Sequence, residues 1–161
     1  MRRCYDVATK SKDQSTKFGA VLVHDGQIIS EGWNGFPRKI NDDIPERHAR
    51  PEKYFYVIHS EQNAILNAAR KGISTLGADL YIQGLPCPNC AGAIIQAGIK
   101  NVFCHKQWRN LERDFFINRP PYWRREDITF NEFNEAGIKV FELDIPVIGR
   151  DGYLDGKTFK V

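Results

Sequence analysis

Residues 78–104 read "ADLYIQGLPCPNCAGAIIQAGIKNVFC". "ADLYIQG" has the character of a buried strand, and "PNCAGAIIQAG" that of a short helix with Pro88 near its opening. "KNVFCHK" then supplies a second strand. A strand, a helix and a strand in this order predict a crossover unit with parallel strands. Upstream, "FGAVLVHDGQIISEGWN" (18–34) consists of two apolar runs around Asp25-Gly26, a hairpin signal. Between these two units lies "YVIHSEQNAILNAARKG" (56–72), where a strand-like run gives way to a helix. Ser60 is its expected N-cap, Glu61 falls in the first turn, and Gly72 is the expected stop. Downstream, "EDITFNEFNEAG" reads as a helix and "IKVFELDI" as a last strand. Strand–helix alternation after an opening hairpin predicts an α/β sandwich built on a mixed sheet.

At 161 residues the chain is expected to form one domain, spanning 1–161, with a core large enough to need no staples. A hydrophobic content of 42% and a charged content of 27% are ordinary for a globular protein. A net charge of +3 is too mild to argue for nucleic acid and suits an anionic small substrate. No apolar run reaches the roughly 20 residues a membrane span needs, and "MRRCYDVATK" leads into no apolar signal core. A cytoplasmic protein is therefore expected (in the host cytoplasm if the source is viral), with Cys4, Cys87, Cys90 and Cys104 reduced.

His59 begins one predicted helix, and "PCPNC" (86–90) opens another after an intervening strand. Two parallel-type crossovers bring both helix starts to one edge of the sheet, where His59, Cys87 and Cys90 can share a metal. Two thiolates and an imidazole are ligands that zinc favours, and three protein ligands leave a position for water. A helix N-terminus stabilises both thiolates. Glu61 then falls beside that water, as a carboxylate that moves a proton rather than one that ligates. A redox C-x-x-C pair accounts for neither His59 nor Glu61. The order H-x-E then P-C-x-x-C is the known signature of zinc-dependent nucleobase deaminases.

With these segments the sequence resembles the cytidine and deoxycytidylate deaminase superfamily, and within it the deoxycytidylate branch. The likeness is carried by "SKDQSTKFGAVLV", "GWNGFPRKIND", "KYFYVIHSEQNAI" and the stretch quoted first, from about residue 8 to residue 104. The resemblance implies a three-layer α/β/α sandwich of the cytidine deaminase type with a five-stranded mixed sheet. It implies hydrolytic deamination of dCMP to dUMP and ammonia, with one catalytic zinc held by His59, Cys87 and Cys90. In that scheme a zinc-bound hydroxide attacks C4 of cytosine, and Glu61 is the proton shuttle. By the same likeness Asn34 meets the sugar–phosphate portion and the Ser60 amide meets the base. It also implies a homo-oligomer, often a hexamer, with dCTP and dTTP as effectors. Ser60 stands where most relatives have alanine, and Trp33 where they usually have tyrosine.

A substrate phosphate needs cationic partners. Lys17 and Arg38, flanking the hairpin and the "GWNG" loop, are the preferred candidates among many basic residues. Arg109, Arg113, Arg124 and Arg125 read as solvated charges, and Trp108, Tyr122 and Trp123 as packing groups. Residues 105–127 form an insert unlike the deaminase pattern, and an extension from about residue 146 could be a hairpin turning at "RDG". His48 alone in the long loop argues against a second zinc. Deamination of another base or nucleotide, such as guanine, tRNA adenosine, CMP or a modified dCMP, remains open on the residues, as does a noncatalytic zinc-binding role.

Overall fold

The computed structural model describes residues 1–116 and 125–161, with side chains throughout except at residues 115 and 116. Asp25 and Gly26 both take positive φ, 49° and 75°, the conformation a two-residue hairpin turn demands. That turn joins β1 (Gly19–His24) to β2 (Gln27–Trp33) as an antiparallel pair. On its other side β1 pairs antiparallel with β3 (Asp79–Ile82), with Ala20 opposite Ile82. β4 (Asn101–His105) and β5 (Lys139–Leu143) follow in parallel, giving a mixed sheet in the order β2-β1-β3-β4-β5.

Alternation along the strands sends Leu22, Leu80, Ile82 and Val102 to one face, which carries the main core. It meets Ala64 and Ala68 of α3 (Ser60–Arg70), Ile94 of α4 (Pro88–Gln96) and Phe133 of α6 (Glu126–Glu135). On the opposite face, Cys4 and Val7 of α1 (Arg2–Ala8) pack on Val21. Helices on both faces of the sheet make the expected three-layer α/β/α sandwich. Gly32 lets α3 settle on β2, since a Cβ there would run into the backbone of Ser60 and Ala64. The absence of that one carbon fixes the height of the α3 N-terminus, where His59 and Glu61 lie.

Five local points differ from the sequence reading. His59, not Ser60, caps α3, in extended conformation at φ −70° and ψ 157°. The strand-like run before it is one helical turn, α2 (Lys53–Tyr56), followed by a single bridge between Ile58 and Gly35. The segment after β4 begins as a helix, α5 (Lys106–Phe116). On α5, Arg109 is fully buried rather than solvated, held by both oxygens of Glu126 at 2.9 Å and by Glu142 at 3.2 Å. Finally, the tail does form a hairpin, β6 (Asp151–Leu154) and β7 (Lys157–Lys160), but it turns at Asp155-Gly156. There the positive φ values are 50° and 76°, whereas Asp151 already belongs to the strand. Tyr122, Trp123 and Arg124 lie outside the described residues.

Trp108 anchors the tail. Its buried ring meets Tyr5, Phe18 and Phe159 at centroid distances of 6.1, 5.0 and 5.1 Å, in a cluster with Val147 and Leu154. Truncating such a residue to alanine costs about 3–5 kcal/mol.

Beside it, buried His105 has both ring nitrogens engaged. Nε2 lies 2.9 Å from the Ile145 carbonyl, which can only accept, so it carries the hydrogen. Nδ1 then accepts from the Tyr5 hydroxyl at 2.6 Å. Burial holds the His105 pKa below its ordinary value, so the folded state favours the neutral ring. Stability from this group is complete above about pH 6.5, the unfolded value, and is lost as pH falls toward the folded pKa. Urea unfolding between pH 7.5 and 5.5 should therefore show stability falling, at no more than about 1.4 kcal/mol per pH unit from this residue. His105→Gln should be less stable at pH 7.5 and flatter across that range; an unchanged slope would remove His105 as its source.

Candidate active site

The N-termini of α3 and α4 meet at one edge of the sheet, each capped by a residue in extended conformation, His59 and Cys87. His59 Nδ1 lies 3.6 Å from Cys87 Sγ and 3.4 Å from Cys90 Sγ, and the three donor atoms all fall within 4.8 Å of one another. A tetrahedral zinc with bonds of about 2.05 Å to nitrogen and 2.3 Å to sulfur places N and S about 3.6 Å apart. The donor set and its spacing fit zinc. Without metal, a hydrogen bond from Cys90 lowers the Cys87 thiol to about 4. The resulting thiolate, hydrogen-bonded to His59, raises the imidazole to about 9. The Cys90 thiol is held well above its ordinary value by its bond to Cys87 and by burial. Zinc ligation needs both thiols deprotonated and the imidazole neutral, so metal loading at these three residues releases protons.

Glu61 lies next to these donors and is only 5% exposed. Burial raises its pKa, against the pull of His59, and the Ser60 hydroxyl donates to its Oε2 at 2.8 Å. A buried carboxyl whose charged form is disfavoured by burial and favoured by a neighbouring imidazole is suited to accept and return a proton.

These residues end a cavity of about 160 Å³ lined by Asn34, His59, Ser60, Glu61 and Cys87, with Cys90 buried behind. Phe18, Ile82, Leu85 and Leu154 supply apolar wall, and Asp13, Thr16, Arg50, Lys53 and Tyr54 a polar one. Asn34 lines the cavity while cross-linking the loop before β1. Its Oδ1 accepts from the Phe18 amide and its Nδ2 donates to the Thr16 carbonyl, both at 2.8 Å.

Lys17 and Arg38 do not line this cavity. Lys17 lies over the Tyr153 ring, 5.4 Å from its centroid, and Arg38 bonds to Asn67 on the surface of α3. Of the basic residues, Arg50 and Lys53 face the cavity. Lys53 is buried with its ammonium on Asp13 at 2.9 and 3.1 Å and on Ser15 at 3.1 Å. Burial opposes the Asp13 charge, but Lys53 outweighs it and holds the Asp13 pKa below its ordinary value. Several lining residues escaped the sequence reading, Lys53, Glu112 and Leu154 among them. Lys53 looks like any surface lysine, whereas Glu112 and Leu154 come from the insert and the tail, where no motif announces them.

A second cavity, of about 400 Å³, opens beside the first. It is bounded by Lys10, Lys12, Arg38 and Lys39 together with Trp33 and Phe36. Among the described residues no helix is long and apolar enough to cross a membrane.

The family model described as the cytidine and deoxycytidylate deaminase zinc-binding region matches residues 1–106. An uncharacterized deaminase of Aliivibrio fischeri is 35% identical over 142 residues, covering 88% of this chain and 89% of that protein. The deoxycytidylate deaminase of Mus musculus is 41% identical over 140 residues, covering 83% of this chain and 76% of its own. Among solved structures, the dCMP deaminase of cyanophage S-TIM5 in complex with dCMP and dUMP superposes with a TM-score of 0.60. It shares 27% identity, over 86% of this chain and 88% of the other.

Proposed function

Since this chain belongs to the cytidine and deoxycytidylate deaminase family, we propose that it hydrolyses dCMP to dUMP and ammonia. The observation that carries this reading is the meeting of a three-donor zinc set with a buried carboxyl at the end of one cavity. Zinc, when held by His59, Cys87 and Cys90, supplies a water acidified to a pKa of about 7. Glu61 takes one proton from the attacking water and delivers it to N3 of the cytosine. It then carries the remaining hydroxyl proton at C4 to the amino group, which leaves as ammonia while the C4 carbonyl forms. The N–H of Ser60, on the first turn of α3, orients the base. Asn34 fixes the wall against which the sugar rests. Phe18, Ile82, Leu85 and Leu154 keep bulk water from the ring.

The phosphate falls to Arg50. Its side chain is 39% exposed, it lines the cavity and carries a guanidinium rich in N–H donors, and Lys53 on the same wall is already engaged by Asp13. This reading replaces Lys17 and Arg38. Arg50→Gln should raise KM for dCMP about ten- to hundredfold, measured by ammonia release.

The reading extends to partners. The second cavity is lined by four basic side chains, two aromatic rings and the carboxylates of Asp13 and Asp42, with Lys12 paired to Asp42. It is the place this reading assigns to a nucleotide effector such as dCTP or dTTP. Tyr81, Phe103 and Phe141 stack in a row across the α1 face of the sheet, with centroids 4.6 and 4.9 Å apart and Phe141 41% exposed. That apolar row supports association of further copies into a homo-oligomer. A single cytoplasmic domain suits four unpaired thiols.

The test is a panel of dCMP, CMP, deoxycytidine and guanine assayed side by side. Preference for dCMP is expected; preference for an unphosphorylated substrate refutes the reading.

A further inference from the structure

The β6–β7 hairpin lies beyond the residues the family model matches, yet it is built into the cavity. Leu154 lines the cavity, and the strand containing it grips the loop that carries Asp13, Thr16 and Phe18. The Lys17 amide donates to the Tyr153 carbonyl at 3.1 Å, the Gly156 amide to the Ser15 carbonyl at 2.8 Å, and the Tyr153 hydroxyl to the Gln14 carbonyl at 3.1 Å. At the hairpin's tip, Asp155 Oδ1 stands 3.8 Å from Arg50 Nη1.

We infer that this hairpin is a working part of the substrate site and that Asp155 is a positioning residue, holding the Arg50 guanidinium toward the substrate phosphate. The inference rests on the reading of Arg50 as the phosphate partner. A free arginine samples many rotamers, and ordering it on each binding event costs affinity. A carboxylate at one edge of the guanidinium removes part of that cost and leaves the other donors for a phosphate. Repulsion between Asp155 and the phosphate, across the width of the guanidinium, is damped by solvent. The two side chains, Arg50 and Asp155, are 39% and 34% exposed.

Asp155→Asn isolates the charge. Position 155 has φ 50° in the hairpin turn, a conformation asparagine tolerates at least as well as aspartate, so the turn survives. KM for dCMP should rise about fivefold with kcat little changed, while KM for deoxycytidine stays put. Calorimetric binding of dUMP should weaken by a similar factor, and that of deoxyuridine should not. Asp151→Asn, in the same hairpin but paired with Lys160 at 2.7 Å, serves as the control and should match wild type. An unchanged or lower KM for dCMP in Asp155→Asn overturns the inference. Equal weakening of dCMP and deoxycytidine also overturns it, because the hairpin would then act only as wall. Failure of the underlying reading is visible separately, as a wild-type protein that does not prefer dCMP to deoxycytidine, or as an Arg50→Gln variant that retains the wild-type KM.

Discussion

Exchanging Glu61 for glutamine is expected to leave one zinc ion bound per chain while turnover falls about 10²–10⁴-fold, the range for a lost general acid–base group. Glutamine keeps the size of the side chain, and its carbonyl can still accept the Ser60 hydroxyl that now donates to Glu61 Oε2. What it lacks is a group that can bind and release a proton. Glu61 is buried within the field of His59 and Cys87, and among the described residues no other carboxylate joins the His59, Cys87 and Cys90 group. The loss should therefore appear in kcat, with dUMP affinity nearly unchanged. Metal analysis and single-turnover assays on the same preparation separate the two effects. A Glu61→Gln protein with wild-type turnover would remove Glu61 from the chemistry.

Removing one zinc ligand should be more damaging, because it takes away the water-activating group and loosens the site together. Cys90→Ala is the informative variant. Cys90 is 1% exposed at the start of α4, so the new methyl is sheltered and the helix is spared. Its sulfur is 3.4 Å from His59 Nδ1, and without it two donors remain. Zinc content should fall toward zero in carefully purified protein. Turnover should drop on the order of 10³-fold or more, since metal activation supplies several kcal/mol of transition-state stabilisation. Added zinc should restore wild-type protein stripped with a chelator and fail to restore Cys90→Ala. Stoichiometric zinc in the variant would show that the ligand set is drawn from other residues.

The parts legible in the sequence are those whose meaning is local. Asp25-Gly26 demands positive φ at two successive residues, so it announces its hairpin wherever it occurs. The intervals within "HSE" and "PCPNC" are fixed by a metal radius and a helix turn, and they hold in three dimensions as written. Residues whose setting is decided by distant partners were not legible. Arg109 has the chemistry of a surface charge, and it is buried only because Glu126 and Glu142 arrive from α6 and β5 to neutralise it. Lys53 belongs to a polar stretch, and Asp13, forty residues away, draws it inside. Leu154 in a short polar tail shows no periodicity that would mark it as part of a pocket wall. The misread N-cap is subtler. Ser60 is a favoured capping residue, but the imidazole of His59 must face the facing thiols, so the extended position goes to the ligand and the serine enters the helix.

The docking of the tail also sets an order in time. Chains emerge from the ribosome N-terminus first, and every zinc donor lies within the first ninety residues. The metal centre can thus begin to assemble on a growing chain. The cavity cannot be complete until Leu154 has been synthesised and the Trp108 cluster has closed over Phe18. The donors thus lie early in the chain and the last wall of the cavity late, so the order of synthesis delivers the ligands before the enclosure.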